Sequence, residues 1–122
     1  MHAKEHVTRD TLAAAPEVYR RTVVIDGLVA APPSGRVVQQ LLAAGIGGCN
    51  WTVASHSDEA LTAINKIIQF YWLFEQFPDR TLLVETESDL ERAKRENKLG
   101  IILGFQGGKG ANQAVAAARM GT

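Results

Sequence analysis

Residues 99–110, LGIILGFQGGKG, join an apolar run to a glycine-rich loop, and this junction decides the fold class. Consecutive apolar and β-branched residues are typical of a strand that is covered on both faces, as in a parallel sheet. Two similar runs occur earlier in the chain. We therefore predict strands at residues 22–26 (TVVID), 46–54 (IGGCNWTVA) and 101–105 (IILGF), with a short strand or an extended connection at 81–85.

The glycine-rich loop itself does not match a nucleotide-binding loop. A Walker-type loop has four residues between its first glycine and the Gly-Lys pair, followed by Ser or Thr. Here three residues separate Gly104 from Gly108-Lys109, and Gly110 occupies the position of the hydroxyl residue. The dinucleotide order G-x-G-x-x-G is absent as well. We interpret the loop as a turn between a strand and a helix.

Helical patterns alternate with the predicted strands. We predict helices at residues 9–21, 36–45, 55–77, 86–100 and 111–120. In the longest of them, Ser55 and Asp58 suit the start, and the buried stripe is predicted to consist of Leu61, Ile64, Ile68 and Tyr71 or Trp72. A capping box is expected at the start of the next helix, from Thr86 with Asp89 or from Ser88 with Glu91.

This alternation predicts the architecture. Strands that alternate with helices form a parallel sheet of right-handed βαβ units. A closed (β/α)8 barrel needs eight such units in about 250 residues, whereas the chain has 122 residues and ends after a predicted helix. We expect an α/β fold with the first three βα units of a (β/α)8 barrel, incomplete in this chain, over residues 9–122, preceded by a mobile N-terminus at 1–8.

Composition and charge narrow the functional classes. Thirteen basic residues balance thirteen acidic ones, so we expect no nucleic-acid partner, because phosphate backbones are normally met by excess Lys and Arg. The chain has no apolar run long enough to span a membrane and no secretory leader pattern, which predicts a cytoplasmic protein. Cys49 is the single cysteine, so no internal disulfide is possible, and it is predicted to be a small buried hydrophobe.

Few residues are candidates for chemistry. Asp26 follows an apolar run and Gln106 follows another, at strand ends where sites collect in parallel α/β folds. Asp26 is equally well explained as a residue that orders the following loop. His2 and His6 have metal-ligand spacing but are expected to be mobile, and His56 lies between serines that suit capping better than catalysis.

Three segments resemble one enzyme family. VVIDGL (23–28), GIGGCNWTVA (45–54) and DLERAKRENKLGIILGFQG (89–107) are similar to the N-terminal third of the membrane (renal) dipeptidase family of zinc peptidases. The resemblance runs from about residue 19 to 120. It implies a metal-dependent (β/α)8 barrel of the amidohydrolase type, in which two zinc ions activate a bridging water to hydrolyse dipeptides or small amides.

The resemblance also shows where this chain departs from the family. The family's metal ligands at the first and third strands correspond to Leu28, Ala30 and Gln106, none of which is a usual zinc ligand. The chain is therefore expected to hold no metal through these positions, although a divalent metal such as zinc remains possible in an assembled enzyme. The catalytic residues are unknown. Asp26 and Gln106 are the candidates for binding substrate or for orienting a neighbouring group.

Three hypotheses follow for function. The leading one is a small subunit or fragment of a dipeptidase-like, metal-dependent amide or peptide hydrolase, completed by a second protein chain that supplies the remaining barrel. The alternative is a non-catalytic structural or regulatory subunit of a hydrolase complex. The third is a self-contained small α/β domain whose sheet edges are covered by dimerisation.

Overall fold

A computed structural model describes residues 16–55 and 57–106. Residues 16–21 are helical, and strands and helices then alternate: β1 Ile25–Val29, α1 Gly35–Ala43, β2 Gly48–Ala54, α2 Ala60–Gln76, β3 Thr81–Leu83, α3 Glu87–Arg95 and β4 Leu99–Phe105. The predicted helix at 111–120, the predicted mobile N-terminus and all three histidines lie outside the described residues. No helix in the described part of the chain is both long and apolar enough to cross a bilayer.

The strands form one four-stranded sheet in the order β1-β2-β4-β3, and every pair is parallel. The fold is therefore α/β with a parallel sheet, as predicted, and it is consistent with part of a barrel. The segment at residues 81–85, which the sequence left open between strand and connection, contains a strand. Thr81–Leu83 pairs with the start of β4, with Thr81 opposite Leu99 and Leu83 opposite Ile101.

The strand order places α3 on the opposite face of the sheet from α1 and α2. The connection from β2 through α2 to β3 passes over the position of β4 in one direction across the sheet, and the connection from β3 through α3 to β4 returns in the other direction. Right-handed connections that run in opposite directions across a sheet lie on opposite faces of it. A Cβ on Gly48 or Gly100 would meet Leu90 of α3, whereas the neighbouring Cys49 packs into a core with residues of α1 and α2. If the sheet were closed into a barrel, α3 would lie across the N-terminal end of the interior.

The main core lies between the sheet and helices α1 and α2. Its central residue is Trp51 of β2, whose side chain is fully buried. The Trp51 ring meets the Phe70 ring edge to face at 5.3 Å and 82°, and its Nε1 donates to the carbonyl oxygen of Ala31 at 2.6 Å. Trp51 thus fixes both α2 and the loop after β1 to the sheet. The other fully or largely buried members are Val29, Val38, Cys49, Val53, Leu73, Leu99 and Ile101.

The first strand begins three residues later than predicted. Thr22 donates to the Val18 carbonyl oxygen from its backbone nitrogen at 3.0 Å and from its hydroxyl at 2.7 Å, and these bonds extend the preceding helical turn. The chain becomes a strand only at Ile25. The prediction that Asp26 ends this strand is therefore wrong, because Asp26 is the second residue of β1.

Gly45 is the predicted end of the helix at residues 36–45. The helix α1 stops at Ala43, Ala44 is its C-cap, and Gly45 follows the cap. The backbone of Gly45 has φ +81°, a conformation that side chains other than glycine rarely adopt. A Cβ there would lie 2.5 Å from the Tyr19 ring, and the Tyr19 hydroxyl donates to the Ala44 carbonyl oxygen at 2.9 Å. Gly45 thus allows the N-terminal helical segment to pack over the end of α1.

The predicted start of α2 at Ser55 is wrong, because α2 begins at Ala60. The Asp58 carboxylate accepts from the Ser55 backbone nitrogen at 2.9 Å, and the Asp58 backbone nitrogen donates to the Ser55 carbonyl oxygen at 3.1 Å. Side chains that bond nearby backbone groups in this way compete with helix formation. Ser55, Ser57 and Asp58 therefore precede the helix instead of forming its first turn.

The predicted buried stripe of α2 is also wrong. The residues of α2 that the fold buries are Ala63, Phe70 and Leu73. The five residues predicted to form the stripe are exposed instead, with Leu61 at 71% and Trp72 at 64% of their full accessibility. Residues 60–74 contain a single charge, at Lys66, so the helix carries apolar side chains around most of its circumference. Periodicity alone could not select the buried face.

Helix α3 is shorter than predicted but starts as expected. The capping box of Thr86 and Asp89 is present, and Asp89 Oδ2 accepts from the backbone nitrogens of Glu85 at 2.9 Å and Thr86 at 3.0 Å. The helix ends at Arg95, followed by Asn97 in a left-handed conformation with φ 57°. The predicted stop at Gly100 is wrong, because Gly100 belongs to β4.

We expect Asp89→Asn to destabilise the protein in a pH-dependent manner. The backbone hydrogen bonds from Glu85 and then Thr86 lower the pKa of Asp89 below its ordinary value of 3.8. A carboxylate with a lowered pKa in the folded state stabilises the fold above about pH 4, and this contribution is lost as the pH falls through the folded pKa. Urea unfolding should show a lower midpoint for the variant at pH 7 and a smaller difference as the pH falls below 3.8.

Glu91→Gln is the control for this experiment, because Glu91 is an exposed residue of the same helix. It should change the midpoint little at either pH. An Asp89→Asn variant whose loss is the same at pH 7 and at pH 2.5 would contradict the capping role.

Candidate functional site

The carboxyl ends of β1, β2 and β4 meet at one edge of the sheet, where a cavity of about 420 Å³ opens. This is the edge at which ligands bind in parallel α/β folds. The loop after β1 forms one wall, the end of β2 forms the floor and α2 forms the other wall. The lining residues are 30–33, 52–55, Lys66, Gln69, Phe70 and Gln106.

Gln106 lies where the sequence predicted a site residue, directly after β4. Its backbone nitrogen donates to the Ala54 carbonyl oxygen at 2.9 Å, which continues the pairing of β4 with β2. The exposed side chain lines the cavity together with Gln69 of α2. A primary amide has both donors and an acceptor, so two glutamines at one cavity can bond both the N–H and the C=O of an amide ligand.

The charged group of the cavity is Lys66, which the sequence analysis did not single out. Its Nζ donates to Asp58 Oδ2 at 2.8 Å, and the same oxygen accepts from the Ser55 hydroxyl at 3.4 Å. The hydrogen bond from Lys66, followed by that from the Ser55 backbone nitrogen, lowers the pKa of Asp58. Asp58 is therefore a weak proton acceptor and is suited to holding Lys66 and Ser55 in place rather than to activating Ser55.

Asp26 is not brought to this cavity. In the sheet, Asp26 lies opposite Cys49 and Cys49 lies opposite Ile101. Gln106 is five residues beyond Ile101, which corresponds to about 16 Å along the sheet. Asp26 and Gln106, the two predicted site residues, therefore lie far apart along the strand direction, and the structure does not bring them together.

Asp26 instead has a local partner. Its Oδ1 accepts from the Leu28 backbone nitrogen at 3.0 Å, at the irregular pairing between Asp26 and Val29. Short side chains that bond the backbone two residues ahead stabilise turns of this kind. The geometry matches the loop-ordering role that the sequence left open for Asp26, and a role in binding substrate stays a prediction.

The described residues do not fit a metal centre of the expected type. Leu28, Ala30 and Gln106 occupy the positions at which the resemblance places metal ligands. Within residues 16–55 and 57–106, no group of three or more His, Cys, Asp or Glu side chains is arranged to hold a metal ion. A dinuclear zinc site therefore cannot be built from this part of the chain.

Cys49 is buried, as predicted, and is not a candidate nucleophile. Burial, together with the negative charge of Asp26, raises the pKa of the Cys49 thiol to about 12. Because the thiolate is the reactive form, the folded protein should resist thiol reagents at pH 8.

We expect Ellman's reagent to leave Cys49 unmodified in the native protein and to modify it fully in 6 M guanidinium chloride. The modification rate at intermediate denaturant should follow the unfolded fraction measured by circular dichroism. Rapid modification without denaturant would show that β2 opens locally.

The fold of this chain matches that of a protein of known structure, whereas comparisons of its sequence find no match. No family model matches the chain, and no curated protein matches it. The crystal structure of an amidohydrolase from Pseudomonas aeruginosa superposes on 86% of the chain with a TM-score of 0.77 and 24% sequence identity. This likeness establishes the fold. The chain spans about a third of that protein, 32% of its length.

Proposed function

We propose that this chain is the N-terminal part of an amidohydrolase-type barrel, and that it acts on small peptide or amide bonds when further polypeptide completes the barrel. The observation that carries the proposal is the structural match, which covers 86% of this chain but 32% of the amidohydrolase. The resemblance to the dipeptidase segments supports a dipeptide as the first substrate to test.

The edges of the sheet support completion by further polypeptide. On one side, β1 pairs with β2, and within the described residues no strand lies on its other edge. On the other side, β3 covers the start of β4, and its last bond is from the Val84 nitrogen to the Ile101 carbonyl oxygen at 2.9 Å. Beyond this point, from Ile102 to Phe105, β4 pairs with β2 on one edge, and no described strand lies on its other edge. Open edges of this kind are templates for strand addition.

Exposed apolar side chains lie on these same two strands. Ile25 and Leu28 of β1 are 47% and 57% exposed, and Phe105 at the end of β4 is 40% exposed. Fully burying an exposed side chain of this size contributes about 1.5–3 kcal/mol. Because these side chains are already about half buried, strands added at the two edges would gain roughly half of that free energy for each residue that they cover.

In the completed barrel, this chain would contribute binding rather than metal ligation. Gln69 and Gln106 would bond the amide of the substrate in the cavity, and Lys66 would lie beside its carboxylate end. A divalent metal, if the assembled enzyme uses one, would take its ligands from the completing polypeptide, because the described residues do not form such a set.

The test is to isolate the full chain, affinity-tagged, from its source together with whatever polypeptide it binds, and to measure hydrolysis of a dipeptide panel. We expect turnover by the complex and none by the chain alone. Gln106→Ala and Gln69→Ala should raise KM with a smaller effect on kcat. A solitary chain that is monomeric, melts sharply and co-purifies with nothing would overturn the proposal.

A second candidate function is that of a non-catalytic subunit that stabilises a hydrolase. The apolar side chains of Leu28 and Ala30 at positions that bind metal in the dipeptidase family favour it. In that case Asp26→Ala and Gln106→Ala would leave both kcat and KM of the complex unchanged.

A further inference from the structure

Helix α2 has a second apolar face that the fold of the described residues leaves uncovered. We call it the outer face of α2. Its members occur at spacings of three, four, three and one residues, which places them on one side of the helix. They are Leu61, Ile64, Ile68, Tyr71 and Trp72, with 71%, 36%, 41%, 49% and 64% of their full accessibility exposed.

The size of the outer face distinguishes it from scattered surface hydrophobics. Five large side chains with these accessibilities expose on the order of 500–600 Å², which is at the upper limit for a patch on a monomeric protein. Patches of this size mark interaction surfaces. Within the same helix, the Tyr71 ring packs edge to face on the Phe74 ring, with the ring centroids 6.1 Å apart and the ring planes at 69°.

The sequence of the outer face suits another helix as its partner. Leu61, Ile64, Ile68 and Tyr71 follow the alternating spacing of three and four residues that is typical of the seam between two packed helices. Charged residues beside such a seam set the choice and the orientation of the partner helix. The helix carries two charges: Lys66, which is bonded to Asp58 at the cavity, away from the outer face, and Glu75, which is exposed at the C-terminal end of that face.

The outer face is complementary to itself when two copies run antiparallel. Its N-terminal end is aliphatic, with Leu61 and Ile64, and its C-terminal end carries the large rings of Tyr71 and Trp72. Antiparallel pairing about Ile68 places Ile64 of one copy opposite the Trp72 ring of the other, and Leu61 opposite the exposed Glu75 at the rim of the contact. A two-fold axis beside Ile68, near the middle of the stripe, then sets Ile68 against its own copy.

We propose that a second copy of this chain covers the outer face, in a two-fold dimer of antiparallel α2 helices centred on Ile68. Burying the face on both copies removes roughly 1,000–1,200 Å² from water, which reaches the lower end of specific interfaces. We expect a dimer with a micromolar dissociation constant. The interface uses the helix surface and leaves the open sheet edges free, so the inference does not depend on the proposed function.

The test is light scattering of the full purified chain from 1 to 200 µM. The wild-type protein should change from monomer to dimer over this range. Ile68→Glu would bury a carboxylate at the two-fold axis and should weaken dimerisation on the order of 100-fold. Val18→Glu is the matched control, because Val18 is 50% exposed on the helical segment at residues 16–21 and should leave dimerisation unchanged.

Cysteine cross-linking tests the geometry and separates a loss of dimer from a loss of fold. Ile68→Cys should give a disulfide-linked dimer under mild oxidation, whereas Thr62→Cys, on the polar side of α2, should not. The native Cys49 is buried and does not interfere. A wild-type protein that is monomeric at 200 µM, or a dimer that persists unchanged in folded Ile68→Glu, would overturn the inference.

Discussion

Replacing Trp51 with alanine is expected to lower the free energy of unfolding by about 3–5 kcal/mol, the largest loss that we predict for a single residue. The indole is fully buried, meets the Phe70 ring at 5.3 Å and donates to the Ala31 carbonyl oxygen at 2.6 Å. Alanine removes the contact with α2, the anchor of the loop after β1 and the volume that fills the core. Since a small domain has about 5–15 kcal/mol of stability, this loss removes a large share of it.

The chain provides its own control, because its second tryptophan, Trp72, is 64% exposed. Trp72→Ala should change the unfolding free energy by less than about 1 kcal/mol when urea denaturation is followed by circular dichroism at concentrations where the protein is monomeric. Trp51→Phe keeps an aromatic ring beside Phe70 but removes the donor to Ala31. Its loss of unfolding free energy should lie between those of Trp51→Ala and Trp72→Ala. Equal losses for Trp51→Ala and Trp72→Ala would show that the core is not centred on Trp51.

Gly100→Val is expected to destabilise the protein by about 2–3 kcal/mol through overpacking. A Cβ at Gly100 would lie 3.0 Å from Val84 Cγ2 and 3.3 Å from both Ala93 Cβ and Leu90 Cδ2. Ala93 cannot move aside by rotating its side chain, so the added methyl groups must push α3 away from the sheet. Urea denaturation should show a lower midpoint, and amide exchange in α3 should become faster.

Gly27→Val is the matched control, because Gly27 also lies in a strand but has nothing within 4 Å of an added Cβ. Valine suits an extended backbone, so this change should stay within about 0.5 kcal/mol of the wild-type protein. If Gly100→Val proved as harmless as Gly27→Val, α3 would not be packed against β4 as described.

Local signals in the sequence were sufficient where one segment determines its own structure. The apolar runs before Ala54 and Phe105 predicted parallel strands, because strands covered on both faces need apolar side chains at successive positions. Thr86 and Asp89 predicted the start of α3, because a capping box is made by residues three apart.

Features that depend on distant residues could not be predicted in this way. The apolar side chains of α2 form two faces, and which face is buried depends on how the helix meets the sheet. The cavity joins Lys66, Gln69 and Gln106 only after β2, α2 and β4 have packed together. The single charge at Lys66 within residues 60–74 was the one signal that could have drawn attention to this helix face.

The strand order has a consequence for how the protein is made. The strand that is synthesised last among those described, β4, lies between β2 and β3, so neither neighbour has its partner on that side until residue 99 has left the ribosome. Folding cannot advance strand by strand with translation, because contacts distant in sequence must form together. Until then the nascent chain exposes the edges of β2 and β3 that β4 later covers, and during this interval a chaperone or an assembling partner would find these two edges most accessible.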